Sequence, residues 1–67
     1  MWKGKITEEL AALATEYEHQ FHGQTFDMYV DYDLNIFSYE VLVAIIKEAM
    51  EQNNEIPSLL DNLFGEL

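Results

Sequence analysis

The stretch SYEVLVAIIKEAMEQN, residues 38–53, is predicted to form the central helix of this chain, with its helical turns at 39–53. Ser38 is the predicted N-cap, and Asn53 and Asn54 suit the left-handed conformation that ends a helix. At about 100° per residue the apolar side chains cover an arc of roughly 200°. That arc consists of Val41, Leu42, Val43, Ile45, Ile46, Ala49 and Met50.

So wide an arc needs more than one neighbour. A surface helix of a globular protein buries an apolar stripe of only about 100°. The central helix is therefore expected to pack either between two elements of its own chain or between its own chain and a second copy.

A first helix is predicted over residues 7–21, with Thr7 as its N-cap and two glutamates in the first turn, where the helix dipole favours anions. Its apolar residues follow the helical period and fall within about 100° of one another. These residues are Leu10, Leu13, Ala14, Tyr17 and Phe21. Gly23 suits the C′ position at the end of this helix, and either Trp2 or Ile6 is expected to pack over its first turn.

A short final helix is predicted over residues 57–64, with Pro57 at its first position and Gly65 as its stop. Its apolar face is expected to contain Leu59, Leu60, Leu63 and Phe64.

Residues 26–36 change the apolar period from 3.6 to 2. Six apolar residues, from Phe26 to Ile36, alternate there with polar residues or tyrosine, which predicts an extended, half-buried segment. A helical alternative would place Phe26, Tyr29, Val30 and Leu34 on one face. Aromatic, β-branched and aspartate residues are poor helix formers, so the extended interpretation is favoured.

An extended segment needs a partner for its backbone groups, and residues 2–6 form a poor second strand because Gly4 interrupts them. Two options remain: an irregular segment laid on the helices, or pairing with the same segment of a second molecule. The prediction is a mainly α fold of three helices with one extended segment, paired across a homodimer in the second option. Self-association is then expected to use Met28 and Val30 of the extended segment and Val43 and Ile46 of the central helix.

The composition indicates a single small acidic domain spanning residues 1–67. Thirteen acidic residues and three lysines give a formal charge of −10. Nucleic acid should be repelled, because its binding depends on lysine and arginine neutralising phosphates, and this chain has no arginine. The same field attracts basic proteins, although charge of this kind also serves solubility alone.

Targeting and membrane signals are not expected. Glu8 and Glu9 fall where the apolar core of a signal peptide should begin. No window approaches the 18 uncharged apolar residues of a membrane span. The chain contains no cysteine, so disulfides and thiolate zinc sites are excluded, and a cytoplasmic protein is expected.

Two patterns resemble metal sites, and both fail. The run from Asp31 to Asn35 begins like a calcium loop, but Ile36 replaces the turn glycine and Leu42 replaces the bidentate glutamate. Glu16 and His19 have the E-x-x-H spacing of di-iron bundles, which need two such motifs. No metal or other cofactor is therefore expected.

Catalysis requires reactive groups held in a shaped, dry pocket, and a 67-residue core has little room for one. No cysteine nucleophile is present, and the serines at 38 and 58 have helix-capping or first-turn explanations. The sequence therefore predicts a protein that is not an enzyme.

The favoured function is a small binding protein whose acidic surface acts on a basic partner, in its sharpest form a DNA-mimicking inhibitor or regulator of a nucleic-acid-binding protein. In an extended segment Asp31 and Asp33 would share a face roughly 6.6 Å apart, comparable to neighbouring phosphates. The predicted partner-binding residues are Asp27, Asp31, Asp33, Glu40, Glu48 and Glu51. The alternative is a homodimeric assembly or scaffold module that uses the apolar surface of the central helix, with the charge serving solubility.

Overall fold

The computed structural model describes residues 2–26 and 33–64, and three helices account for most of them. Helix α1 spans Glu8–Gln20, α2 spans Tyr39–Gln52 and α3 spans Ile56–Phe64. The three predicted helices are confirmed, with α3 beginning one residue before Pro57. None of them is long and apolar enough to cross a membrane.

Side-chain caps start α1 and α2 as predicted. The Thr7 hydroxyl accepts a hydrogen bond from the Leu10 amide at 3.1 Å, and the Ser38 hydroxyl accepts one from the Val41 amide at 3.2 Å. At the end of α2, Asn53 is left-handed with φ 51°. The Asn54 amide then donates to the Ala49 carbonyl at 2.9 Å, which closes the last turn.

The end of α1 differs from the prediction in which residue is left-handed. His22 takes the C′ position with φ 58°, and Gly23 follows at φ 92°. The Gly23 amide donates to the Glu18 carbonyl at 2.8 Å, as expected for the residue after C′. Gly23 therefore continues the turn that His22 begins, and does not itself occupy C′.

Helix α2 packs against both α1 and α3, so two elements of the same chain shelter most of its wide apolar arc. Five of its residues are buried: Leu42, Val43, Ile45, Ile46 and Ala49. Val43 and Ile46, predicted for self-association, lie in the core of the single chain with 9% and 0% exposure. Neither offers surface to a second copy, because α1 and α3 already cover this side of the helix.

Hydrogen bonds between elements fix how the helices meet. The buried Tyr17 hydroxyl of α1 accepts the Ile56 amide at 3.0 Å, where α3 begins. The side-chain amide of Gln20 donates to the Met50 carbonyl at 2.8 Å, joining the ends of α1 and α2. The buried stripe of α1 contains Leu10, Leu13, Tyr17 and Phe21, with Ala14 partly buried, as its spacing predicted.

The N-terminal segment packs through Trp2, which is buried, whereas Ile6 is exposed. The indole Nε1 of Trp2 donates to the Lys5 carbonyl at 3.0 Å. Of the two residues considered for apolar packing before α1, Trp2 is therefore the one that joins the core.

The extended prediction for residues 26–36 is wrong at its C-terminal end, where Leu34–Ile36 forms a 3₁₀ helix. Alternation would put Leu34 and Ile36 on one face, yet Leu34 is buried and Ile36 is 75% exposed. The cause is local, because Asp33 accepts the Asn35 amide at 3.0 Å and turns the backbone.

Phe26, at the start of that segment, is a buried turn residue. Residues 27–32 lie outside the described residues, and so do the predicted site residues Asp27, Met28, Val30 and Asp31. The described ranges contain no strand, so they give no support to strand pairing across a homodimer.

Candidate functional site

All ten acidic residues in the described part of the chain are exposed, and no charged side chain is buried there. This is the arrangement that desolvation dictates, since an unpaired carboxylate is costly to bury. The ten are Glu8, Glu9, Glu16, Glu18, Asp33, Glu40, Glu48, Glu51, Glu55 and Asp61.

Three of these acids lie on the outer face of α2, and we call Glu40, Glu48 and Glu51 the acidic stripe. At 100° per residue they fall within about 80° of one another, and the rise of the helix separates the first from the last by about 16 Å. The structure therefore brings three of the predicted partner-binding residues onto one exposed face.

Lys47 lies on the same side of α2, but its ammonium reaches away from the stripe. The Lys47 Nζ is 3.5 Å from the Glu9 Oε2 on α1, and both side chains are more than half exposed. Exposed pairs of this kind contribute little to stability. The pair matters for the local electrostatic field. Because Lys47 pairs with Glu9 of α1, its positive charge does not neutralise the acidic stripe.

Asp33 has a structural role that the sequence analysis missed. Its carboxylate accepts the backbone amide of Asn35 at 3.0 Å and the side-chain amide of Asn35 at 3.1 Å. These hydrogen bonds, the backbone one first, lower the pKa of Asp33 below its ordinary value. The Asn35 side chain in turn accepts the Lys3 amide at 2.8 Å. The D-x-N spacing of an Asx turn was the available signal.

An apolar groove runs beside the acidic stripe, between α2 and α3, with a volume of about 370 Å³. Ile45 and Leu59 are buried beneath it, while Val41 is 44% exposed and Leu63 is 59% exposed. We call this feature the α2–α3 groove, and its lining comprises Val41, Ala44, Ile45, Leu59 and Leu63, with Glu40 and Glu48 at its edge.

The α2–α3 groove does not follow from the sequence pattern, which places Val41 in the apolar arc of α2 and Leu63 on the apolar face of α3. The width of the arc was the available signal for the groove, because α1 and α3 do not cover all of it. The side of the arc that stays exposed is the side with Val41.

Metal-binding side chains do not converge in the described residues, where no three histidine, aspartate or glutamate side chains are placed to hold one ion. His19 and His22 are both exposed at the end of α1. The geometry that stands out is instead an acidic stripe next to an apolar groove.

These features describe a small three-helix protein with an acidic stripe beside an apolar groove. Comparison with protein-family models, with curated proteins and with solved structures finds no match to this chain.

Proposed function

We propose that this chain is a small non-enzymatic binding protein that presents its acidic surface to a basic partner protein. The observation that carries the proposal is the exposure of every described acidic residue in a chain whose formal charge is −10. A surface with so large an excess of negative charge steers positively charged proteins toward it and speeds their encounter.

The acidic stripe is the part of this surface best suited to a specific contact. Its three carboxylates sit on a helix whose opposite side is packed against α1 and α3, so their backbone positions are held by the core. Fixed charges lose less entropy on binding than charges on a loose segment.

In its sharpest form the proposal is a DNA-mimicking inhibitor or regulator. The stripe places three carboxylates over about 16 Å of helix, which equals the rise of about five base pairs along the axis of a DNA duplex. A DNA-binding protein contacts phosphates with lysine and arginine side chains. The same side chains also bind carboxylates, so they can accept the stripe in place of DNA.

Capture from cell lysate across a salt series tests the proposal. The immobilised chain should retain basic proteins at about 50 mM salt and release them by about 300 mM, because screening weakens exposed charge contacts. The double variant Glu48→Gln/Glu51→Gln should retain less. Its control, Glu16→Gln/Glu18→Gln, has the same net charge but lies on α1 and should retain more than the stripe variant does.

The outcomes separate the two forms of the proposal. If no protein elutes preferentially between low and moderate salt, the electrostatic function is wrong. A parallel elution with duplex DNA at constant ionic strength tests mimicry. Captured proteins that salt releases but DNA does not displace would contradict the DNA-mimicking form and retain the basic partner.

A further inference from the structure

The α2–α3 groove combines an apolar surface with negative charges beside it. Val41 and Leu63 expose apolar side chains over a buried floor, and Glu40 and Glu48 flank them. The two glutamates are eight residues apart on α2, which separates them by about 12 Å along the helix. Two turns of apolar surface thus lie beside a pair of negative charges.

The charges at the edge argue against a second copy as the occupant. A two-fold contact through this groove would bring Glu40 and Glu48 toward the same residues of the other molecule. Like charges brought together across an interface are unfavourable, and each copy adds a formal charge of −10. The groove instead suits a partner whose apolar residues are flanked by lysine or arginine.

The backbone around the groove argues for a helical occupant. An extended peptide gains affinity by pairing with a strand edge, and the described residues contain no strand. Both walls of the groove are helices whose backbone groups are bonded internally. A helix satisfies its own backbone and can lay an apolar stripe into such a groove, with the small Ala44 allowing close approach.

We propose that the α2–α3 groove docks an amphipathic helix of a basic protein, with apolar side chains at i and i+4 in the groove and lysine or arginine beside them facing Glu40 and Glu48. This inference rests on the proposed function and deepens it by naming the surface and the shape of the partner. The acidic stripe then orients the incoming helix, and the apolar contact holds it.

A designed peptide tests the inference directly. The probe is a fluorescent, end-capped peptide of about 18 residues, long enough to form helix on contact, made of lysine, leucine and alanine with the leucines on one helical face. A scrambled peptide of identical composition has no apolar face. The dissociation constant of each peptide for the full chain is measured by fluorescence anisotropy, and the amphipathic peptide should bind about tenfold more tightly.

Matched variants locate the contact. Leu63→Ser should weaken binding of the amphipathic peptide about tenfold, whereas Ile36→Ser, also an exposed apolar residue but outside the groove, should change it less than about twofold. Glu48→Gln should weaken binding at low salt by about threefold, more than Glu18→Gln, which removes the same charge from α1. Circular dichroism checks that each variant keeps its helical fold. Val41→Ser repeats the test on the α2 wall of the groove, opposite Leu63 on α3.

Four results would overturn the inference. If both peptides bind equally, or if groove and control variants weaken binding equally, the groove is not the docking site, while salt-dependent binding would leave the proposed function standing. Absence of binding by either peptide at low salt would contradict both proposals. A dimer seen by sedimentation and dissociated by Leu63→Ser would assign the groove to a second copy.

Discussion

The missing side chain at Gly4 makes room for the indole of Trp2. A Cβ atom at this position would lie 2.3 Å from the Cζ2 atom of Trp2, well inside contact distance. Trp2 is the one tryptophan of the chain and is buried in the core cluster. The packing of the N-terminal segment therefore depends on a residue without a side chain.

Gly4→Ala should lower the free energy of unfolding by about 1–3 kcal/mol, because the indole must shift out of its place. Urea denaturation followed by tryptophan fluorescence measures both the stability and the exposure of Trp2. Lys3→Ala, an exposed neighbouring change, is the control and should change stability by less than about 0.5 kcal/mol. An unchanged midpoint with unchanged emission for Gly4→Ala would contradict the packing of Trp2 over Gly4.

Asp33 links stability to pH through its hydrogen bonds with Asn35. The pKa of Asp33 is lower in the folded chain than its ordinary value of 3.8. Its stabilising contribution is therefore complete above the unfolded pKa and is lost as pH falls through the folded pKa. Asp33→Asn should remove this part of the acid dependence, measured by urea midpoints between about pH 6 and about pH 2.

A direct measurement of the Asp33 pKa is an NMR titration of its side-chain carboxyl carbon. Titration at or above the ordinary value would mean that the Asn35 amides do not hold the carboxylate in solution. Glu18→Gln, an exposed acid of α1, serves as the control for removing a charge without removing this turn.

Helix α3 has nine residues, fewer than the roughly 12–15 that an isolated helix needs in water. Its formation depends on the rest of the fold, through the buried residues Ile56, Leu59 and Leu60 and through one hydrogen bond at its start. That bond joins the Ile56 amide to the buried Tyr17 hydroxyl at 3.0 Å. Tyr17 thus supplies α3 with a partner for a backbone donor that the helix cannot satisfy itself.

Tyr17→Phe should lower the free energy of unfolding by about 1–3 kcal/mol, since it leaves the Ile56 amide buried without its acceptor. Hydrogen exchange of the Ile56 amide should become faster than that of amides in α1. The matched change Tyr39→Phe removes a hydroxyl that is only part-buried and should cost less. Equal stability of Tyr17→Phe and the unchanged chain would show that the hydroxyl does not support α3.

Charge acts on the molecule as a whole, because ten exposed acids share a surface with few cations. Self-repulsion of this kind destabilises the compact state, and salt screens it. The Tm should rise between about 10 mM and about 150 mM NaCl, as the Debye length falls from about 30 Å to about 8 Å. Differential scanning calorimetry measures this, and a flat or falling Tm would contradict it.

The neutralised variant Glu48→Gln/Glu51→Gln is the matching control for the salt experiment. It removes two charges from the acidic stripe, so its Tm should depend less on salt than that of the unchanged chain. A neutral osmolyte such as sucrose, which strengthens burial without screening, should raise the Tm of both proteins similarly.

The sequence by itself determined the three helices, the caps at Thr7 and Ser38 and the buried stripe of α1. These features depend on contacts within a few residues, where periodicity and side-chain hydrogen bonds act on the backbone directly. The same local logic explains the error at residues 34–36, since an aspartate two residues before an asparagine outweighed the alternating pattern.

Only the tertiary structure decided which part of the α2 arc is covered. Both Val41 and Val43 belong to the apolar arc, yet Val43 is buried and Val41 lines the groove. The difference depends on where α1 and α3 cross α2, which is set by contacts between residues distant in sequence. The α2–α3 groove and its place beside the acidic stripe therefore follow from helix packing, which no local pattern specifies.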